Sequence, residues 1–197
     1  EPRSKGRNYF TIMANEKQQF VDELKELLQK NVAEVKEQVE TLKTQFYRQY
    51  HQELEAEKKA AMEAAQAAGE VLENWLPSVD ELEQEFRELL NQYKQRRAEL
   101  QKQIEEEQAQ NLLRKENILA QMKEMADAET ADVMDNLKKM RDLQAEWKTI
   151  GPVPATKNQE IWKNYQQYQE RFYDLVKINI ELRDLDFKKN LEMKTLL

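Results

Sequence analysis

The sequence has no cysteine, and only three glycines, four prolines and one histidine among its 197 residues. Without thiols there can be no disulfide and no thiolate metal centre, which suits a reducing compartment. Three glycines are too few to punctuate the many tight turns of a β-rich or mixed fold. Neither Gly6 nor Gly151 belongs to a phosphate-cradling loop such as GxGxxG, so nucleotide binding has no support. No apolar run approaches the roughly 20 residues of a membrane span, and no basic start followed by an apolar core marks a signal peptide. The net charge of −7 argues against a broad nucleic-acid surface, which needs a clustered excess of Lys and Arg.

What the chain does have is the vocabulary of long helices. Ala, Glu, Leu, Lys and Arg supply half of it, 35% of residues are charged, and the mean hydropathy is −0.97. Such a chain buries narrow apolar stripes instead of one thick core, and the expectation is an elongated all-α protein. Residues 1–14 show no period and read as a tail, with Tyr9, Phe10 and Ile12 as its apolar members. A helix is expected from Asn15 to Gln29, with Phe20, Val21, Leu24, Leu27 and Leu28 on one face. A second starts near Asn31 as its cap, carries Val32, Val35, Val39, Leu42 and Phe46, and can run to Gly69. The last third of it, within an Ala-rich stretch at about 54–76, has little large apolar side chain to bury and reads as an exposed arm.

After Pro77 the pattern restarts, Ser78 and Glu81 forming a capping-box signature, with Leu82, Phe86, Leu89 and Tyr93 on one face. A polar break with Thr130 as cap precedes a helix bearing Val133, Leu137, Met140, Leu143 and Trp147. Gly151 is expected to stop that helix in a left-handed conformation, and Pro152 and Pro154 forbid its resumption. Thr156 and Gln159 then open a last helix with Ile161, Tyr165, Tyr168, Phe172, Leu175, Ile178, Leu182 and Leu185 at steps of three and four.

The stripes repeat. "NLLRK" at Asn111 and "NLEMK" at Asn190 share Asn, Leu and Lys at an offset of 79, which also carries Leu82, Phe86, Leu89 and Tyr93 onto Ile161, Tyr165, Tyr168 and Phe172. Val32, Val39, Leu42 and Phe46 match Val133, Met140, Leu143 and Trp147 at an offset of 101, so the first copy holds 22 extra residues that include the Ala-rich stretch. The expected organisation is two helical bundles of three-helix type with coiled-coil character, residues 15–110 and 111–197, joined by long shared helices. The apolar pattern at Leu196 and Leu197 reads as a last helix continuing into a further unit, and the chain as a piece of a longer protein.

The words "LQAEWKTIGPVP", "IWKNYQQYQERFYD" and "FKKNLEMK" resemble the repeat of domain-of-unknown-function family 349, found in tandem in long bacterial proteins. The resemblance runs from Asn111 to Leu197, and residues 31–110 look like a diverged copy in which Phe46 stands for Trp147. It implies a helical repeat in a bacterial, cytoplasmic protein, and it assigns no activity, as the family's name records.

Chemistry-bearing residues are sparse. His51 lies in the polar stretch "QYHQEL" and reads as a solvated surface residue, not a general base or ligand. Glu105, Glu106 and Glu107 follow one another, so on a helix they point about 100° apart and make a solvated face, not a cation site. No metal or cofactor is expected, and no enzyme. The stretch from Glu146 to Tyr165 reads as a structural joint of Trp147, Ile150, Gly151, Pro152, Pro154 and Trp162, whose two Trp can fold onto each other as the chain reverses. A basic patch of Lys94, Arg97, Lys188, Lys189 and Lys194 is the nearest approach to a nucleic-acid site. The leading function is therefore a non-enzymatic scaffold binding other proteins; the alternative is a nucleic-acid or ribosome-associated protein.

Overall fold

The computed structural model describes residues 3–128 and 133–196. Five α-helices, and no strand among the described residues, make an all-α fold: α1 Arg3–Leu28, α2 Lys36–Ala67, α3 Glu81–Asp127, α4 Val133–Thr149 and α5 Ala155–Thr195. The chain forms two compact units, Glu1–Gln101 and Lys102–Leu197, dividing within α3 and upstream of the boundary expected at Asn111. The expected cap Thr130, and the side chains of Tyr9 and Phe10, lie outside the described residues; Ile12 is exposed.

The first unit is built on the stripes that spacing alone marks out. Val21, Leu24, Leu27 and Leu28 of α1 meet Val39, Leu42 and Phe46 of α2 and Phe86, Leu89, Leu90 and Tyr93 of α3. At its centre the rings of Phe46 and Phe86 stack 3.9 Å apart, both fully buried, with Tyr47 edge-on to each. Burying such rings supplies most of the hydrophobic stabilisation of a small bundle. The Arg96 guanidinium of α3 donates to the Leu28 carbonyl, placing a cation on the last turn of α1 where the helix dipole favours one.

Helix ends depart from the sequence expectation in four places, each for a local reason. α1 starts at Arg3, not Asn15, because a stretch without a stripe is still free to be helical when only Gly6 interrupts it. Asn31 does not cap α2: its Oδ1 accepts the Ala33 N–H at 3.1 Å and its carbonyl accepts from Glu34 N–H at 3.0 Å, a side-chain turn that delays the helix to Lys36. Ser78 does not cap α3: its N–H donates to Glu57 Oε1, and Asp80 Oδ1 takes the Glu83 N–H instead. Pro154, with φ of −52° and ψ of 133°, precedes α5 in place of Thr156.

The left-handed stop expected at Gly151 is found at Gly69. Its φ is +73°, Glu70 N–H donates to the Ala65 carbonyl and Gly69 N–H to the Gln66 carbonyl, the paired bonds of a Schellman motif that closes α2. The Ala-rich end of α2 is helical to Ala67 and mostly exposed, as its small side chains require.

The second unit gathers the later part of α3, α4 and the first half of α5. Ile118, Leu119, Met122 and Met125 pack with Val133, Met140, Leu143 and Trp147 and with Ile161, Tyr165, Phe172 and Val176. The offset of 101 extends to α1, since buried Val21 and Leu24 fall on buried Met122 and Met125. Beyond Val176 the expected stripe is not buried: Ile178, Leu182 and Leu185 are all exposed.

Candidate functional site

The joint between α4 and α5 is the most specifically built locus of the second unit. α4 ends at Thr149, where Ile150 N–H reaches back to the Trp147 carbonyl and Thr149 Oγ1 donates to Glu146 O. Pro152 and Pro154 then hold the chain extended, and the residue before each proline is steered away from helix. Ile150 and Val153 turn into the core, whereas Pro152 faces out. Gly151 does not have a positive φ, which corrects its expected role as a left-handed stop. Glycine stands there for room: a Cβ would lie 3.0 Å from Nδ2 of Asn111.

Asn111 is the residue that sequence reasoning left as a mere repeat marker. It is buried on α3, and its Nδ2 donates to the Pro152 carbonyl at 2.9 Å, closing a contact across 41 residues. Helical carbonyls are used by their own helix; this one is available because the prolines keep it out of any helix. Asn111→Ala is expected to lower stability by about 0.5 to 1.5 kcal/mol, the net worth of one intramolecular hydrogen bond, as read by urea denaturation. An unchanged midpoint would show the bond to be dispensable.

The aromatic residues divide around Tyr165. Trp147 is buried and its ring lies 4.5 Å from that of Tyr165; the Trp162 ring stacks with Tyr165 at 5.4 Å and 7°. The two Trp therefore share a neighbour instead of folding onto each other as expected, and Trp162 is 51% exposed. Position 162 follows Ile161 directly, so it points about 100° away from the buried stripe. The Lys115 ammonium sits 4.9 Å from the Trp147 ring centre, and burial lowers its pKa. Lys115, Trp147, Asn158, Gln159 and Trp162 line a shallow open depression over the joint.

The first unit holds a charge cluster that the sequence did not announce. Lys17 of α1 is 5% exposed and pairs with both Glu53 of α2 and Asp80 at the start of α3, with the Tyr50 ring 5.9 Å from its ammonium. Burial acts to lower the Lys17 pKa, but the hydrogen bonds and charges of Asp80 and Glu53 outweigh it and the net direction is upward. One cation thus ties three helices, while Asp80 also caps α3.

The remaining candidates are distributed over both units. Lys94 and Arg97 are exposed in the first unit, Arg97 5.9 Å from the Tyr93 ring, and Lys188, Lys189 and Lys194 are exposed in the second. His51 is exposed beside the rings of Tyr47 and Tyr50. Glu105, Glu106 and Glu107 are exposed on α3, and among the described residues no cluster of three His, Cys, Asp or Glu could hold a metal ion. No helix among them is long and apolar enough to cross a membrane.

Comparison with known proteins places the joint in a family context. No curated protein and no solved structure matches the chain. A family model described as Domain of Unknown Function (DUF349) matches residues 81–156. The matched segment takes in the whole of α3, α4 and the joint, so the family frame opens upstream of the Asn111 to Leu197 segment that carries the resemblance in sequence. It joins Asn111 and Lys115 to the Trp147-to-Pro154 segment they contact, and residues 81–156 are the part of this chain that is similar to the DUF349 family.

Proposed function

We propose that this helical module is a non-enzymatic scaffold that binds other proteins. The observation that carries the reading is the surface of α5 beyond Val176. Ile178, Ile180, Leu182, Leu185, Phe187 and Leu191 are each between 48% and 70% exposed. A helix end that served only as a solvated spacer would be polar, as the α3 stretch from Arg96 to Gln110 is, with Ile104 its one large aliphatic besides Leu100. Ile178, Leu182 and Leu185 share one face of the helix and Ile180, Phe187 and Leu191 the opposite one, and large apolar residues exposed on both faces mark interaction sites. The absence of cysteine and the bacterial setting implied by the resemblance suit a cytoplasmic scaffold.

The test is crosslinking capture from the native host, with and without RNase, using the wild type and an Ile178→Asp/Leu185→Asp variant. Protein partners that survive RNase and are lost with the variant are the expected result. Partners lost on RNase treatment would move the function to nucleic-acid or ribosome association through the lysines of α5. A titration with single-stranded RNA at about 150 mM salt gives the companion outcome, binding no tighter than the non-specific range of roughly 10⁻⁴ to 10⁻⁶ M.

A further inference from the structure

The contact between Asn111 and the joint has an unused copy on α5. Asn111, Leu112 and Lys115 recur as Asn190, Leu191 and Lys194, at the same internal spacing and at the offset of 79. That offset is structural as well as textual, for it carries Phe86 and Tyr93, buried in one unit, onto Tyr165 and Phe172, buried in the other. In the first copy each member has a task. Asn111 donates to the Pro152 carbonyl at 2.9 Å, Leu112 packs on the core, and Lys115 lies 4.9 Å from the Trp147 ring. In the second copy all three are exposed, Leu191 by 55%.

We infer that the Asn190, Leu191 and Lys194 face of α5 docks a helix that carries an aromatic residue followed, after three residues, by Gly-Pro-x-Pro, the element that α4 and its joint exemplify. The chemistry selects that occupant over an ordinary amphipathic helix. The amide of Asn190 needs a carbonyl outside any helix, which a proline-flanked link presents. It also favours an adjacent residue without a side chain, since at the first copy a Cβ on Gly151 would lie 3.0 Å from the amide nitrogen. Lys194 needs an aromatic face one turn earlier, where the ring quadrupole attracts the ammonium. Leu191 needs apolar cover. The inference rests on the protein-interaction reading and names the class of partner for the face that Leu191 shares with Ile180 and Phe187, opposite Ile178 and Leu185.

The probe is a labelled hairpin of residues 133–176, titrated against the whole chain. Saturable binding is expected, weakened about tenfold or more by Asn190→Ala/Lys194→Ala in the chain, and equally by Gly151→Val or Trp147→Ala in the hairpin. The chain substitutions are at exposed positions, and an unchanged thermal melt confirms that they leave the fold alone. Binding that ignores Asn190 and Lys194 but responds to Asn111→Ala/Lys115→Ala would show that the hairpin displaces the chain's own α4 and joint from α3, and would overturn the inference. So would self-association of the chain that the hairpin does not compete for. Because the isolated hairpin need not be helical, the same residues are also appended after Leu197 through a flexible linker. Amides 187–195 should then gain hydrogen-exchange protection that Asn190→Ala/Lys194→Ala removes. No gain in protection sinks the inference. If partner capture through Ile178 and Leu185 persists in that case, the interaction reading stands and only the assignment of its partner falls.

Discussion

Trp147→Ala is expected to lower the stability of the second unit by about 3 to 5 kcal/mol, the usual cost of emptying a large aromatic site in a core. The indole is 7% exposed and belongs to the same buried cluster as Met140, Leu143, Ile150 and Tyr165. Its removal takes away three things at once: the packing of the ring on Tyr165, the seat of the Lys115 ammonium, and the wall against which the chain turns. The last is the least replaceable, because Pro152 and Pro154 fix the link and leave it little freedom to collapse into the space. Denaturation followed by hydrogen exchange over residues 133–176 separates the second unit from the first. A loss under about 0.5 kcal/mol, the range of surface substitutions, would contradict a core role for Trp147.

Lys17→Met is expected to cost about 3 kcal/mol near neutral pH. The replacement is apolar and of similar length, so packing is largely kept, while Glu53 and Asp80 are left facing each other without their cation. Removing one partner of a buried pair costs about 3 to 5 kcal/mol, and the partial exposure of the two carboxylates sets the lower end. Glu53→Gln on the Lys17→Met background should recover part of the loss by removing the repulsion. The pH dependence has a definite sign. The Lys17 pKa is raised above its ordinary value of 10.5, so its stabilisation is fully present below 10.5 and is lost as pH rises through the higher folded value. Wild type should therefore lose its advantage over Lys17→Met only in strongly alkaline solution. An advantage that faded between pH 6 and 8 would point to some other group.

Much of this architecture is legible in the chain because helical stripes are local signals. Val21 and Leu24, Phe86 and Tyr93, and Met140 and Trp147 all announce their burial by steps of three and four. Contacts across distant stretches leave fainter marks. Lys17 lies on the extension of the Val21, Leu24 and Leu28 stripe, and a charged residue at a core position is a request for partners. Which partners, residues 53 and 80, follows only once three helices are packed. The offset of 101 could have flagged it, since Lys17 falls where the second unit has buried Ile118. The role of Gly151 is hidden in the sequence because glycine's commonest use at a helix end is conformational, and the close approach of Asn111 leaves no mark among neighbours in sequence. Trp162 stands near Trp147 in the joint but one residue off the buried stripe.

The φ of Gly151 lies outside the left-handed region, so what crowds a side chain there is a single amide 40 residues upstream, 3.0 Å from where a Cβ would sit. The two positions are therefore coupled. A related unit with serine or alanine in place of Asn111 is free to place alanine in its joint, whereas in one that keeps the asparagine the amide has to shift by a few tenths of an ångström to admit it. For anyone building new units from this pattern, the pair is one choice written in two places.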